Sequence, residues 1–218
     1  MFRIALKKES VMKKTAKEIK ISAWKTALLS AFIWVLLPTT VRSETIFLVE
    51  TDPATFALNG YSAHLRVKPA NLKHWALGWG VYSLELPRAF VNLNPRNARE
   101  GWEVDMVFAH GPFFDYYFEE GRRGWFVGGQ VAFQEFRVRN RQVSTVETTF
   151  DNLLIMPRVG YQWFPSESGF YVLPWLGVGY TTTLHGSKDL GGGDMGGGKS
   201  YDVSPLIYFA TVHIGYEF

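Results

Sequence analysis

The stretch "YFATVHIGYEF", residues 208–218, decides the fold. Tyr208, Ala210, Val212, Ile214, Tyr216 and Phe218 recur at every second position, so an extended chain sets all six on one face. Thr211, His213, Gly215 and Glu217 fall on the other. The same period runs back through the chain. "RVGYQW" sets Val159, Tyr161 and Trp163 against Arg158, Gly160 and Gln162, and "GGQVAFQ" sets Gly129, Val131 and Phe133 against Gln130, Ala132 and Gln134. "YSAHLRVK" sets Tyr61, Ala63, Leu65 and Val67 against Ser62, His64, Arg66 and Lys68. Beyond Glu44 no stretch carries a 3.6-residue stripe and no apolar run is long enough to span a bilayer as a helix. The class is all-β and antiparallel.

Composition narrows the rest. Aromatic residues make up 16% of the chain, and there is no cysteine, which excludes disulfides, thiol catalysis and zinc–thiolate sites. The pI near 9.0 misleads. Nine of the 23 Lys and Arg but two of the 20 Asp and Glu lie in residues 1–43, so the remainder is acidic and gives no footing for nucleic acid. Residues 1–43 read as an N-terminal extension and cleavable signal peptide: a basic stretch from Met12, an apolar run "ALLSAFIWVLL", then "PTTVRS" with Val41 and Ser43 placed for cleavage between Ser43 and Glu44. The apolar run, at 11 residues, is short of the roughly 20 a spanning helix needs, which disfavours an uncleaved anchor.

Alternation alone does not separate a soluble β-sandwich from a membrane barrel. Three features favour the barrel. Aromatics cluster at strand ends, in "DYYF" (115–118), "GWF" (124–126), "QWFP" (162–165) and "GFY" (169–171). Loops alternate short ("EEGRRG", "PSES") and long ("RNRQVSTVETTFDN", "SKDLGGGDMGGGKS"). The chain also closes on an aromatic strand. That ending resembles the terminal strand of small bacterial outer-membrane β-barrel proteins, with Tyr208, Ala210, Val212, Ile214, Tyr216 and Phe218 matching the assembly signal and His213 standing where many members carry glycine. The resemblance implies an up-and-down transmembrane barrel of the OmpA/OmpX type over residues 44–218, located in the bacterial outer membrane. Its implied partners are outer-membrane lipid and lipopolysaccharide, the barrel-assembly machinery and periplasmic chaperones, and it implies a monomer. Strands are expected near 45–51, 56–68, 74–86, 101–118, 124–139, 151–164, 169–186 and 203–218, which makes eight, with residues 87–100 as an external loop.

Within the long loop "GGGDMGGGKS" (191–200), Gly193 to Ser200 fit the phosphate-loop pattern G-x-x-x-x-G-K-S. A phosphate loop opens a helix, whereas the residues that follow read as a strand. The match is a coincidence of glycine content, and no nucleotide is expected.

Parity assigns His64, Arg66, Glu103, Asp105, Asp115, Gln130, Gln134, Arg158, Gln162, His213 and Glu217 to the barrel interior. An eight-stranded barrel is only wide enough for side chains, so these form a plug, with Arg66 and Arg158 expected to pair with Glu103 and Asp105. A narrow pore is the alternative. Glu103 and Asp105 would share one face, but no polysaccharide enters such a lumen. His185 and Ser187 faintly resemble the His-x-Ser pair of outer-membrane lipid A deacylases, although Lys188 replaces the asparagine, Asp189 or Asp202 is the nearest acid, and parity aims His185 inward. The histidines have no ligand spacing, so neither metal nor cofactor is expected. His110 points to lipid unless the Gly111–Pro112 step bends the strand, and a bulge is expected there. The reading is a non-enzymatic barrel with a structural or surface-interaction role.

Overall fold

The computed structural model describes residues 44–92, 94–120, 123–143, 147–191 and 198–218. The expected signal peptide, the Ser43 side of its expected cleavage site and the glycine-rich residues 192–197 lie outside the described residues.

Eight strands close into an antiparallel barrel: β1 (Ile46–Thr51), β2 (Tyr61–Lys68), β3 (Trp75–Glu85), β4 (Trp102–Tyr117), β5 (Gly124–Asn140), β6 (Glu147–Gln162), β7 (Phe170–Gly186) and, after a two-stranded ribbon of β8 (Asp189–Leu190) and β9 (Lys199–Ser200), β10 (Leu206–Glu217). Each barrel strand pairs with its neighbours in sequence, and β1 closes the ring against β10 from Leu48↔Glu217 to Thr51↔Ile214. Closure covers most of the sheet edge, leaving β10 unpaired on its β1 side before Ile214 among the described residues.

Two features that periodicity did not reveal are helical. Helix α1 (Pro53–Ala57) occupies part of the expected second strand, and α2 (Arg88–Val91) sits in the expected external loop. Five residues carry too little of a 3.6-residue period to register, but "DPAT" holds the start signal. Asp52 accepts the Ala54 N–H at 2.9 Å as N-cap, and Pro53 takes the first turn, where its missing N–H is harmless.

The wall is uneven. Strands β4 to β7 have 16 or 17 residues, roughly 50 Å of extended chain, whereas β1 has 6 and β2 has 8. The stretch 139–152, expected as a long loop, is mostly strand, and the β5–β6 connection is only residues 141–146. Its polar character has a different cause: Arg137, Arg139, Glu147 and Asp151 lie on the outer face, beyond the apolar part of the wall.

That apolar part is sharply bounded. On β5 the outward side chains run Trp125, Val127, Val131, Phe133 and then Glu135, Arg137, Arg139. On β6 the charged Glu147 and Asp151 give way to Leu153, Ile155, Val159 and Tyr161. Aromatics crowd one rim, with Trp75 against Tyr116 at 5.2 Å, Trp125 against Tyr161 at 5.3 Å and Tyr216 against Phe218 at 5.0 Å between ring centroids.

Inside, two apolar clusters lie one above the other. The first gathers Leu48, Tyr117, Phe126, Tyr171, Leu173 and Trp175 around the buried charges. The second, with Trp102, Phe136, Phe150, Leu190 and Tyr201, fills the tall end of the barrel, where Phe136 and Phe150 stack at 5.3 Å.

Candidate functional site: a buried charge network under an apolar cavity

The inward face of β2 carries Arg66, fully buried, and its guanidinium holds two carboxylates together. Its Nε donates to Glu50 Oε1 from β1, and Nη1 donates to Asp115 Oδ2 from β4. Arg158 from β6 reaches the same Asp115 through Nε and Nη2, at 2.9 and 2.8 Å, and extends to Gln130 Oε1 at 3.4 Å. Glu50 also accepts from Tyr171 Oη at 2.8 Å and lies 2.9 Å from His213 Nδ1. The Phe113 ring has the two guanidinium carbons 4.8 and 4.6 Å from its centroid. Two carboxylates facing two guanidiniums balance in charge, which is what permits four ionised groups to be buried together. Nearer the aromatic rim, Lys68 pairs with Glu217 at 3.1 Å. Room comes from glycine: a Cβ at Gly128 would overlap the Asp115 carboxylate and the Phe114 carbonyl.

Of the residues parity sent inward, His64, Arg66, Asp115, Gln130, Gln134, Arg158, Gln162, His213 and Glu217 do face the interior. Glu103 and Asp105 do not. A bulge between Met106 and Phe108 inserts one extra residue opposite β5, which reverses the faces beyond it. Trp102 and Val104 therefore turn inward, while Glu103 pairs with Arg141 and Asp105 with Arg139 on the outer surface. Arg66 and Arg158 take Glu50 and Asp115 in their place. The parity reading missed Glu50, although Leu48 and Glu50 alternate with Phe47 and Val49 in the short run "IFLVE". Tyr117 and Tyr171 were read as rim aromatics.

The bulge expected at Gly111–Pro112 falls instead at Val107, and His110 faces outward, stacked on Trp79 and Phe133 at 5.8 and 5.7 Å. A second irregularity in β6–β7 pairing places His185 opposite Asp151 on the outer face rather than inward. Ser187 Oγ accepts the Asp189 N–H at 3.1 Å, and among the described residues no hydrogen bond joins it to His185. Among the described residues no cluster of three or more His, Asp or Glu could hold a metal ion. No helix among them is long and apolar enough to cross a membrane, which leaves crossing by strands untouched.

Between the charge network and the aromatic cluster lies a cavity of about 500 Å³. His64, His213 and Gln130 form its floor, Phe136, Phe150 and Tyr201 its roof, and Leu154 and Met156 part of its wall. Burial pushes the Tyr201 phenol up to about 12, and the adjoining Asp202 carboxylate adds to the shift. Comparison with protein-family models, with curated proteins and with solved structures finds no match to this chain.

Proposed function

We propose that this chain is an integral outer-membrane β-barrel of non-enzymatic, structural or surface-interacting character, with a lumen closed to ions by the Glu50–Arg66–Asp115–Arg158 network. The observation that carries the reading is an inversion of the usual order: charges are buried and large apolar side chains are exposed. Arg66 and Asp115 have no exposure, whereas Trp125 is 58% exposed, Leu176 55% and Tyr208 67%. In water such a surface is a liability and in hydrocarbon it is the favoured one, and strand pairing around the ring satisfies most of the backbone groups. The outward apolar run on β5, Trp125 to Phe133, spans nine residues, matching the 9–11 a tilted membrane strand requires. The charged outer side chains beyond Phe133 then stand in water, and α2, β8 and β9 belong to that external end.

The test is conductance of the refolded protein in a planar bilayer, with insertion confirmed by heat-dependent gel mobility. Inserted protein that stays electrically silent is the expected result. Discrete channel steps would establish a narrow pore with Arg66, Asp115 and Arg158 as its selectivity residues.

A further inference from the structure

The low side of the wall opens into the cavity. Strand β10 pairs with β7 along Leu206 to Tyr216, but its other edge meets β1 only from Ile214 onward. Among the described residues no strand pairs with that edge over residues 206–213. Helix α1 crosses this gap and is tied to β10 by one side-chain hydrogen bond, from Thr211 Oγ1 to Asp52 Oδ2 at 2.8 Å. The cavity is accordingly lined by residues of both faces of β10: inward Ile207 and Phe209, and outward Leu206, Tyr208 and Ala210. Ile207 and Phe209 are only half-buried, unlike the inward residues of β5 and β6 across the barrel.

The interior holds a second clue. Asn152, 2% exposed, lines the cavity with its Oδ1 unpartnered, and His64 Nδ1 is also unpartnered. A buried carbonyl without a donor is costly, and its pairing by a guest would favour binding. The carboxylates at the margin are already engaged: Asp52 by Ala54 and Thr211, Asp202 by Asn94 and Arg96. Among the described residues no lysine or arginine lines the space to hold an anionic head.

We infer that the cavity binds a neutral, slender, mainly hydrocarbon molecule carrying one hydrogen-bond donor, which enters sideways from the surrounding membrane through the gap between α1 and β10. A volume of about 500 Å³ suits a small-molecule site, and apolar cavities take apolar guests in preference to water. The donor sits on Asn152 Oδ1 and the chain lies along Leu154 and Met156. The sideways route rests on the membrane reading above; the site itself does not.

Met106 and Met156 both line the cavity, so methyl-labelled methionine reports on it directly by NMR. Titrating the refolded full chain in lipid nanodiscs with 1-dodecanol should shift both methyl signals saturably. Asn152→Leu should weaken 1-dodecanol at least tenfold while leaving n-dodecane unchanged, and Ala210→Trp should slow exchange. Unmoved methyl signals in a folded barrel, or equal losses for both probes in Asn152→Leu, would overturn the site. Exchange unaffected by Ala210→Trp would overturn the sideways route. Protein that fails to enter nanodiscs but still binds in detergent would refute the membrane reading and retain the cavity.

Discussion

Arg66 shows what a single side chain does in this interior. Its guanidinium joins Glu50 and Asp115, and with no exposure it has no water to fall back on. Removing one member of such a pair leaves a buried charge uncompensated, so Arg66→Met should cost about 3–5 kcal/mol, read from the denaturant midpoint of the refolded barrel. Glu103→Gln, which breaks an ion pair at the surface, should cost less than about 1 kcal/mol in the same assay. Equal losses would place Glu103 back in the interior. Tyr201 sets a pH dependence at the tall end of the barrel. Its folded phenol titrates at about 12 against about 10 when unfolded, so the folded form keeps its proton longer. The stability this provides is complete below about pH 10 and is lost as pH rises toward 12. Tyr201→Phe should therefore flatten the fall in unfolding midpoint across that window, and an unchanged slope would count against the buried phenol.

At the scale of elements, alternation was legible wherever the outward side chains are apolar and the inward ones are mostly polar or small. The six residues from Tyr208 to Phe218 and the run from Trp125 to Phe133 announce their strands for that reason. Residues 147–152 hid theirs, because the outer face there carries Glu147, Thr149 and Asp151. Parity failed for a second reason. It counts residues, and the extra Val107 in β4 breaks the count, so every assignment beyond it reversed. Nothing in "EVDMVFAH" marks a bulge at that position, whereas Gly111–Pro112 drew the expectation to the wrong place. Deleting Val107 should drive Glu103 and Asp105 inward and expose Trp102 and Val104. The deletion variant is expected to lose heat-resistant gel mobility; unaltered mobility would show that the bulge does not set the register. The charge network was legible in its arginines and in Asp115. Its partner Glu50 was lost because β1 is the shortest barrel strand and offers few alternations.

The barrel combines three zones with different demands: an apolar outer belt, a neutral charged plug within it, and a taller end packed around Phe136 and Phe150. The belt governs the proposed function, since its exposed aromatics have no favourable place in water. The low wall along β10 and β1 governs the inferred one, because that is where the belt and the cavity meet. The proposed function and the sideways route into the cavity both depend on the barrel standing in hydrocarbon with a boundary between Phe133 and Glu135. The chain has no cysteine, so single cysteines placed in turn along β5, from Trp125 to Arg139, can each carry a nitroxide label without interference. In reconstituted protein, electron paramagnetic resonance should find high oxygen accessibility at odd-numbered positions through Phe133, low accessibility at even-numbered ones, and a switch to a water-soluble nickel relaxant from Glu135 onward. Uniform access of the nickel reagent to Val127 and Val131 would contradict the membrane-spanning barrel.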